Sequence, residues 1–210
     1  KSRTDLQGRK LRYAQDMEFT PDLAEVVRRV RPTAIIGVSG KPKMFTREVL
    51  QVMAEVNARP IVFSLSNPTS KTECTAEEAY SWTDGRAIFA SGSPFAPVNF
   101  KGKTFESGQG NNAYIFPGVG MGAIVFGIKR ITDDMFFAAA ETLASLVSES
   151  DLRRGSIYPP LTSIREVSAH IAAAVGEIAY EKGLATVPRP ANLLEFVKVA
   201  QYQPVYRSYV

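Results

Sequence analysis

Apolar residues along the chain come in two rhythms. Short unbroken runs at 34–38, 60–65 and 87–90 are too brief for helices and read as strands buried on both faces, the pattern of a parallel sheet. Between them the spacing turns helical. Leu23, Val26, Val27 and Val30 follow Thr20 as N-cap and Pro21 at the first helical position, and Pro32 closes that segment. Val49, Leu50, Val52 and Met53 point inward from a helix capped by Thr46. Thr75-Ala76-Glu77-Glu78 spells a capping box, in which a hydroxyl and a carboxylate satisfy free N–H groups reciprocally. Strand, helix, strand, helix, strand at this spacing predicts right-handed βαβ units, an α/β fold with a doubly wound parallel sheet. Further on, the periodicity predicts helices over 118–128, 133–147, 163–182 and 193–199, the third carrying Ile164, Val167, Ile171, Val175 and Ile178 along one side. Tyr158-Pro159-Pro160 interrupts them, and Lys182-Gly183 closes the long one as a C-terminus. The predicted division is residues 1–130 for the sheet and its loops, and 131–210 for a helical region packing on it.

Each predicted strand ends in small polar residues: Ser39-Gly40, Ser66-Asn67 and Ser91-Gly92-Ser93. Ligands of doubly wound sheets bind outside the carboxyl ends of the strands, so three such ends in succession point to one site. Asn67 in Ser64-Leu65-Ser66-Asn67-Pro68-Thr69 is one candidate. The pair Asn111-Asn112 in Gly108-Gln109-Gly110-Asn111-Asn112 is another, with glycines that let the backbone approach a ligand and carboxamides that both donate and accept. Turn chemistry alone also explains asparagine at such places.

Composition narrows the chemistry. With 45% hydrophobic residues the 210-residue chain can bury a substantial core, and no apolar run is long enough for a membrane span, which predicts a soluble, intracellular protein without a membrane partner. One cysteine, Cys74, and one histidine, His170, cannot build a Cys/His metal site, so a metal would need carboxylates. The net charge of +4 is modest. Its basic residues crowd only at Lys1, Arg3, Arg9, Lys10 and Arg12, without interleaved aromatics, and nucleic acid is not an expected partner.

Several signals mislead. Gly118-Val119-Gly120-Met121-Gly122 lacks the spacing of a dinucleotide fingerprint and reads as close helix packing, and Ser39-Gly40-Lys41 lacks the rest of a phosphate loop. His170 and Cys74 read as structural, and Asp133-Asp134 as carboxylates of a first helical turn.

The chain resembles the malic enzymes. The likeness rests on Ile35-Ile36-Gly37-Val38-Ser39-Gly40, on Arg59 through Thr69, on Glu73-Cys74-Thr75-Ala76-Glu77-Glu78-Ala79-Tyr80, on Gly85 through Phe95, and on Gly108-Gln109-Gly110-Asn111-Asn112, extended by Tyr158-Pro159-Pro160. The resemblance implies oxidative decarboxylation of L-malate to pyruvate and CO2, with NAD or NADP and with Mg²⁺ or Mn²⁺. It implies a Rossmann-like cofactor domain whose first strands and glycine-rich turn lie outside these residues, together with the family's tyrosine acid, lysine base and acidic metal ligands. On that reading Asn67, Asn111 and Asn112 bind substrate, while Val38, Ser39, Leu65 and Asn67 line the cofactor groove. No catalytic or metal-binding residue is expected here, and these 210 residues alone are expected to be inactive. Lys10 or Arg12 would meet a 2′-phosphate if the cofactor is NADP. The resemblance further implies a homodimer or homotetramer, in the cytoplasm or alternatively the mitochondrial matrix or plastid stroma. Competing readings are another NAD(P)-dependent dehydrogenase of a small acid and a non-catalytic nucleotide-binding module.

Overall fold

The structure, a computed structural model, describes residues 7–204. A short helix, α1 (Arg9–Tyr13), precedes the first amphipathic helix, α2 (Leu23–Val30). This second helix does not start at Thr20 and Pro21. Asp22 caps it, its carboxylate accepting from the Ala24 N–H at 2.9 Å, while Thr20 Oγ accepts from the Asp22 N–H at 3.2 Å. Aspartate is the stronger cap of the two, and the boundary moves to it.

Strand β1 (Ala34–Gly37), helix α3 (Arg47–Val56), strand β2 (Ile61–Ser64), helix α4 (Ala76–Trp82) and strand β3 (Ile88–Ser91) then alternate as the spacing predicts. Thr46 caps α3, and the Thr75/Glu78 capping box on α4 is complete in both directions. A hairpin of β4 (Val98–Phe100) and β5 (Lys103–Phe105) comes next, then β6 (Gly108–Gln109). The main sheet runs β1-β2-β3-β6, all parallel.

Ile35, Val62 and Phe89 stand in register across the sheet and join Val49, Leu50, Met53 and Tyr80 in the core under α3 and α4. The adjacent row, Ile36, Phe63, Ala90 and Gly108, faces the other way. Its cover fades along the sheet, from fully buried Ala90 to Ile36 at 60% exposure. The expectation that residues 34–38 are buried on both faces is therefore wrong, since Val38 is exposed as well. Right-handed crossovers between strands laid down in sequential order put both helices on one face, leaving the Ile36 side of β1 uncovered among the described residues.

The remaining chain forms a helical layer of α5 (Phe116–Val125), α6 (Asp133–Ser145), α7 (Glu149–Arg154), α8 (Ile164–Glu181) and α9 (Leu193–Ala200). Gly118 and Gly122 let α5 lie directly on α8: a Cβ at Gly118 would meet Ile171 at 2.7 Å, and one at Gly122 would meet the Ala172 carbonyl at 3.0 Å. The close-packing reading holds for Gly118 and Gly122 but not for Gly120, which has nothing within 4 Å of its missing Cβ. The segment after α7 ties this layer to the sheet. Tyr158 fills the space beside Gly108 and stacks on Tyr114, whose hydroxyl donates to the Pro159 carbonyl at 2.6 Å.

Candidate functional site

Beyond the last regular pairings, the parallel ladder continues into the loops. The N–H of Leu65 donates to Gly37, that of Gly92 to Ser64 and that of Gly110 to Ser91, at 2.9, 2.9 and 2.8 Å. The three small-polar strand ends and the Gly110 loop are thus set side by side along one carboxyl edge. Each loop backbone is fixed by the strand next to it.

Asn67 stands exposed at the β2 end of this edge. Its Oδ1 accepts from the Ser93 hydroxyl at 2.7 Å, which leaves the two Nδ2 hydrogens without an acceptor among the described residues. Gly92 makes that approach sterically feasible, because a Cβ there would sit 2.3 Å from the Leu65 carbonyl oxygen and 2.9 Å from Asn67 Nδ2. Gln109 Nε2 donates to the Gly92 carbonyl at 2.9 Å and links β6 to the same loop.

Asn111 is half-buried and is used the same way. Its Oδ1 accepts from the Ala113 N–H at 2.8 Å, capping a turn at Asn112–Tyr114, and its own Nδ2 hydrogens are left over. Both carboxamides therefore present donors, the polarity suited to carboxylate or alkoxide oxygens. Asn111, Asn112, Gly110 and Leu65 line a hollow of about 450 Å³ whose floor includes Ile115, Leu143 and Tyr158. Burial pushes the Tyr158 hydroxyl pKa up, so it remains neutral beside this hollow.

Val38 and Ser39 lie at the other end of the edge, after β1, both exposed and outside that hollow. Behind the strands, a buried carboxylate joins the loops that follow β1 and β2. Glu73 is 1% exposed, and its carboxylate accepts from the Ser64 hydroxyl at 3.0 Å, from the Ser66 N–H at 3.4 Å and from the Ser66 hydroxyl. Ser66 Oγ in turn accepts from the Gly40 N–H at 2.9 Å. Sequence reasoning did not reach the roles of Glu73 and Ser93. Serines alternating at 64 and 66 through a strand end are a readable hint that a buried acceptor waits behind the strand.

Three other titratable groups singled out by the sequence have the following surroundings. Burial pushes the Cys74 thiol up to about 12. His170 sits on α8 with Nδ1 2.9 Å from the Glu166 carbonyl oxygen, and Asp134 pairs with Lys182. Among the described residues no three His, Cys, Asp or Glu side chains are grouped to hold a metal ion, and no helix is long and apolar enough to cross a membrane. Lys10 and Arg12 are exposed on α1, while Lys1 and Arg3 lie outside the described residues.

Residues 1–180 match the family described as "Malic enzyme, NAD binding domain". The NADP-dependent malic enzyme of Vitis vinifera is 54% identical over 210 residues, covering 99% of this chain and 36% of that protein. The chloroplastic NADP-dependent malic enzyme of Zea mays is 52% identical over 205 residues, 97% of this chain and 32% of its own length. Among solved structures, the Entamoeba histolytica malic enzyme superposes with a TM-score of 0.68 at 26% identity, covering 85% of this chain and 32% of that one. The malic enzyme of Pyrococcus horikoshii gives 0.61 at 29% identity, covering 80% and 34% respectively. The chain spans about a third of the length of the curated relatives it matches. With its parallel sheet, its Rossmann-like order of elements and a match across 180 residues, the chain belongs to the malic enzyme NAD-binding-domain family.

Proposed function

We propose that this chain is the cofactor- and substrate-positioning part of an NADP-dependent malic enzyme, which oxidatively decarboxylates L-malate to pyruvate and CO2. The observation that carries this reading is the pair Asn67 and Asn111, each with its oxygen engaged and its N–H donors free at the carboxyl edge of a parallel sheet. The edge also suits a dinucleotide, with Val38 and Leu65 as apolar surface and Ser39 as a hydroxyl beside it. When bound, the dinucleotide accepts the hydride from C2 of the substrate.

The chain's own residues bind and orient. Nδ2 of Asn67 and Asn111 donate to carboxylate or alkoxide oxygens and hold C2 toward the cofactor, and Asn112 neighbours them. Leu65 keeps water from one side. The residues present do not fit Mg²⁺ or Mn²⁺, because the described part has no carboxylate group of three, and they supply no tuned acid and base. We assign the metal ligands and proton-transfer residues to sequence outside these 210 residues. Residues 1–130 would carry the binding edge together with helix α5, and 131–210 the rest of the helical layer behind it. The relatives' NADP designation favours Lys10 or Arg12 meeting the 2′-phosphate. Either plastid or cytosol is proposed as the compartment, since some relatives are named chloroplastic and others carry no such label. A homodimer or homotetramer is proposed for the assembled enzyme.

The test uses a chimaera in which this chain replaces the matching third of the Vitis vinifera enzyme. Asn67→Ala and Asn111→Ala should each lower kcat/KM for malate by about 10- to 100-fold, the loss of a hydrogen bond to a charged oxygen of about 1.5–3 kcal/mol. Variants with unaltered kcat/KM would remove the asparagines from the substrate site.

A further inference from the structure

We propose that Glu73 is a positioning residue that sets the substrate loop and the cofactor loop together. The inference rests on the functional reading above. Glu73 touches no ligand site directly; it lies behind the strands, 1% exposed, with its carboxylate between the ends of β1 and β2. Three donors converge on it: the Ser64 hydroxyl, the Ser66 hydroxyl and the Ser66 N–H. Ser66 is the residue before Asn67, so these bonds fix the backbone from which the Asn67 carboxamide projects. The same Ser66 oxygen accepts the Gly40 N–H at 2.9 Å, and Gly40 follows Ser39. One carboxylate therefore holds both loops through one shared hydroxyl.

Acceptor chemistry explains why a carboxylate stands here. Ser66 Oγ takes the Gly40 N–H, so its own proton needs an acceptor, and the Ser66 N–H needs another. Ser64 Oγ accepts the Cys74 N–H at 3.1 Å and shares its one proton between Glu73 and Thr72 Oγ1, 2.7 Å away, whose own proton goes to the Cys74 carbonyl. Two carboxylate oxygens satisfy both Ser66 donors and still face the Ser64 hydroxyl. A glutamine would offer one oxygen and turn an N–H pair toward a serine that already receives a donor.

Glu73→Gln in the chimaera tests this, with NADPH binding followed by its fluorescence and malate kinetics measured alongside. The control is Val52→Ala, a core truncation in α3, compared at matched loss of Tm. We expect Glu73→Gln to raise both the NADPH Kd and the KM for malate by roughly tenfold, with Val52→Ala changing neither and Glu73→Asp falling between. A shift no larger than that of Val52→Ala would reduce Glu73 to a core residue and overturn the proposal. If Glu73→Gln does not fold, Ser66→Ala decides, because losing the shared hydroxyl should raise the same two constants and unchanged constants would overturn the coupling. A chimaera with Glu73 intact that binds NADPH but fails to oxidise malate would contradict the functional reading, while the Kd comparison would still decide the role of Glu73.

Discussion

Gly37 is glycine because of Glu73. A methyl group there would lie 2.4 Å from the Glu73 carboxyl carbon, with the carboxylate pinned by two serines and unable to step aside. Gly37→Ala should cost about 1–3 kcal/mol through overpacking, read as a lower Tm; an unchanged melt would contradict the contact. Cys74 gives a second test at this scale. Its thiol is fully buried and held neutral, with burial as the chief cause, so iodoacetamide at pH 8 should leave it unmodified in the folded protein and label it in urea. Labelling of the native state would show that the residue is reachable. The structural reading of Cys74 came from the absence of a basic residue beside it in the sequence, and its full burial agrees with that reading. Glu73 was not legible as a strut. Its partners sit seven and nine residues before it, and only the return of the chain past the strand ends makes them neighbours.

Helices α5 and α8 offer a test of sign. Glycine within a helix ordinarily costs about 0.5–1 kcal/mol against alanine, and Gly120, with nothing within 4 Å of its missing Cβ, should be stabilised by Gly120→Ala. Gly118→Ala should destabilise despite the same propensity gain, since its methyl would meet Ile171 at 2.7 Å. Differential scanning calorimetry showing shifts of the same sign would remove the close contact from the account. Glu78 tests the capping box. It is partly buried, which alone would raise its pKa, but hydrogen bonds from Lys43 and from the Thr75 N–H hold it below the ordinary value. A depressed folded pKa gives stability that is present above the ordinary carboxylate pKa of about 4.3 and is lost as pH falls through the lower folded value. The Tm gap between the native protein and Glu78→Gln should therefore hold from pH 8 to about 5 and close below about 4. A gap undiminished at pH 3 would mean the ionised carboxylate is not its source. The caps of α3 and α4 were readable from hydroxyl and carboxylate signals, whereas α5 and α8, legible from spacing, begin without a side-chain cap. The β4/β5 hairpin was not, because Lys101-Gly102 takes positive φ at both positions without the asparagine or aspartate that usually announces such a turn.

For the whole molecule, the bare surface at Ile36 on β1 and at Val38 just after it is the largest departure from the expected sandwich of helices about a sheet. Apolar runs predict burial, yet they cannot say which other residues provide it. An uncovered apolar edge invites pairing, so the chain alone should self-associate, and Ile36→Lys should reduce light scattering without lowering Tm. Equal scattering from both would move the sticky surface elsewhere. The parallel order and the common carboxyl edge were legible because strand and helix rhythms alternate so regularly. The bond of Ser93 to Asn67 was not legible, since it joins loops 26 residues apart.

The measurement that bears most directly on the central claim is malate-dependent NADP reduction, with and without Mn²⁺, by this chain alone and by the chimaera. Metal-dependent reduction by the chimaera and none by the chain is the predicted result. Turnover by the isolated 23.0 kDa chain would show that the acid, base and metal ligands lie within it, and a folded but inactive chimaera would contradict its assignment to malate oxidation.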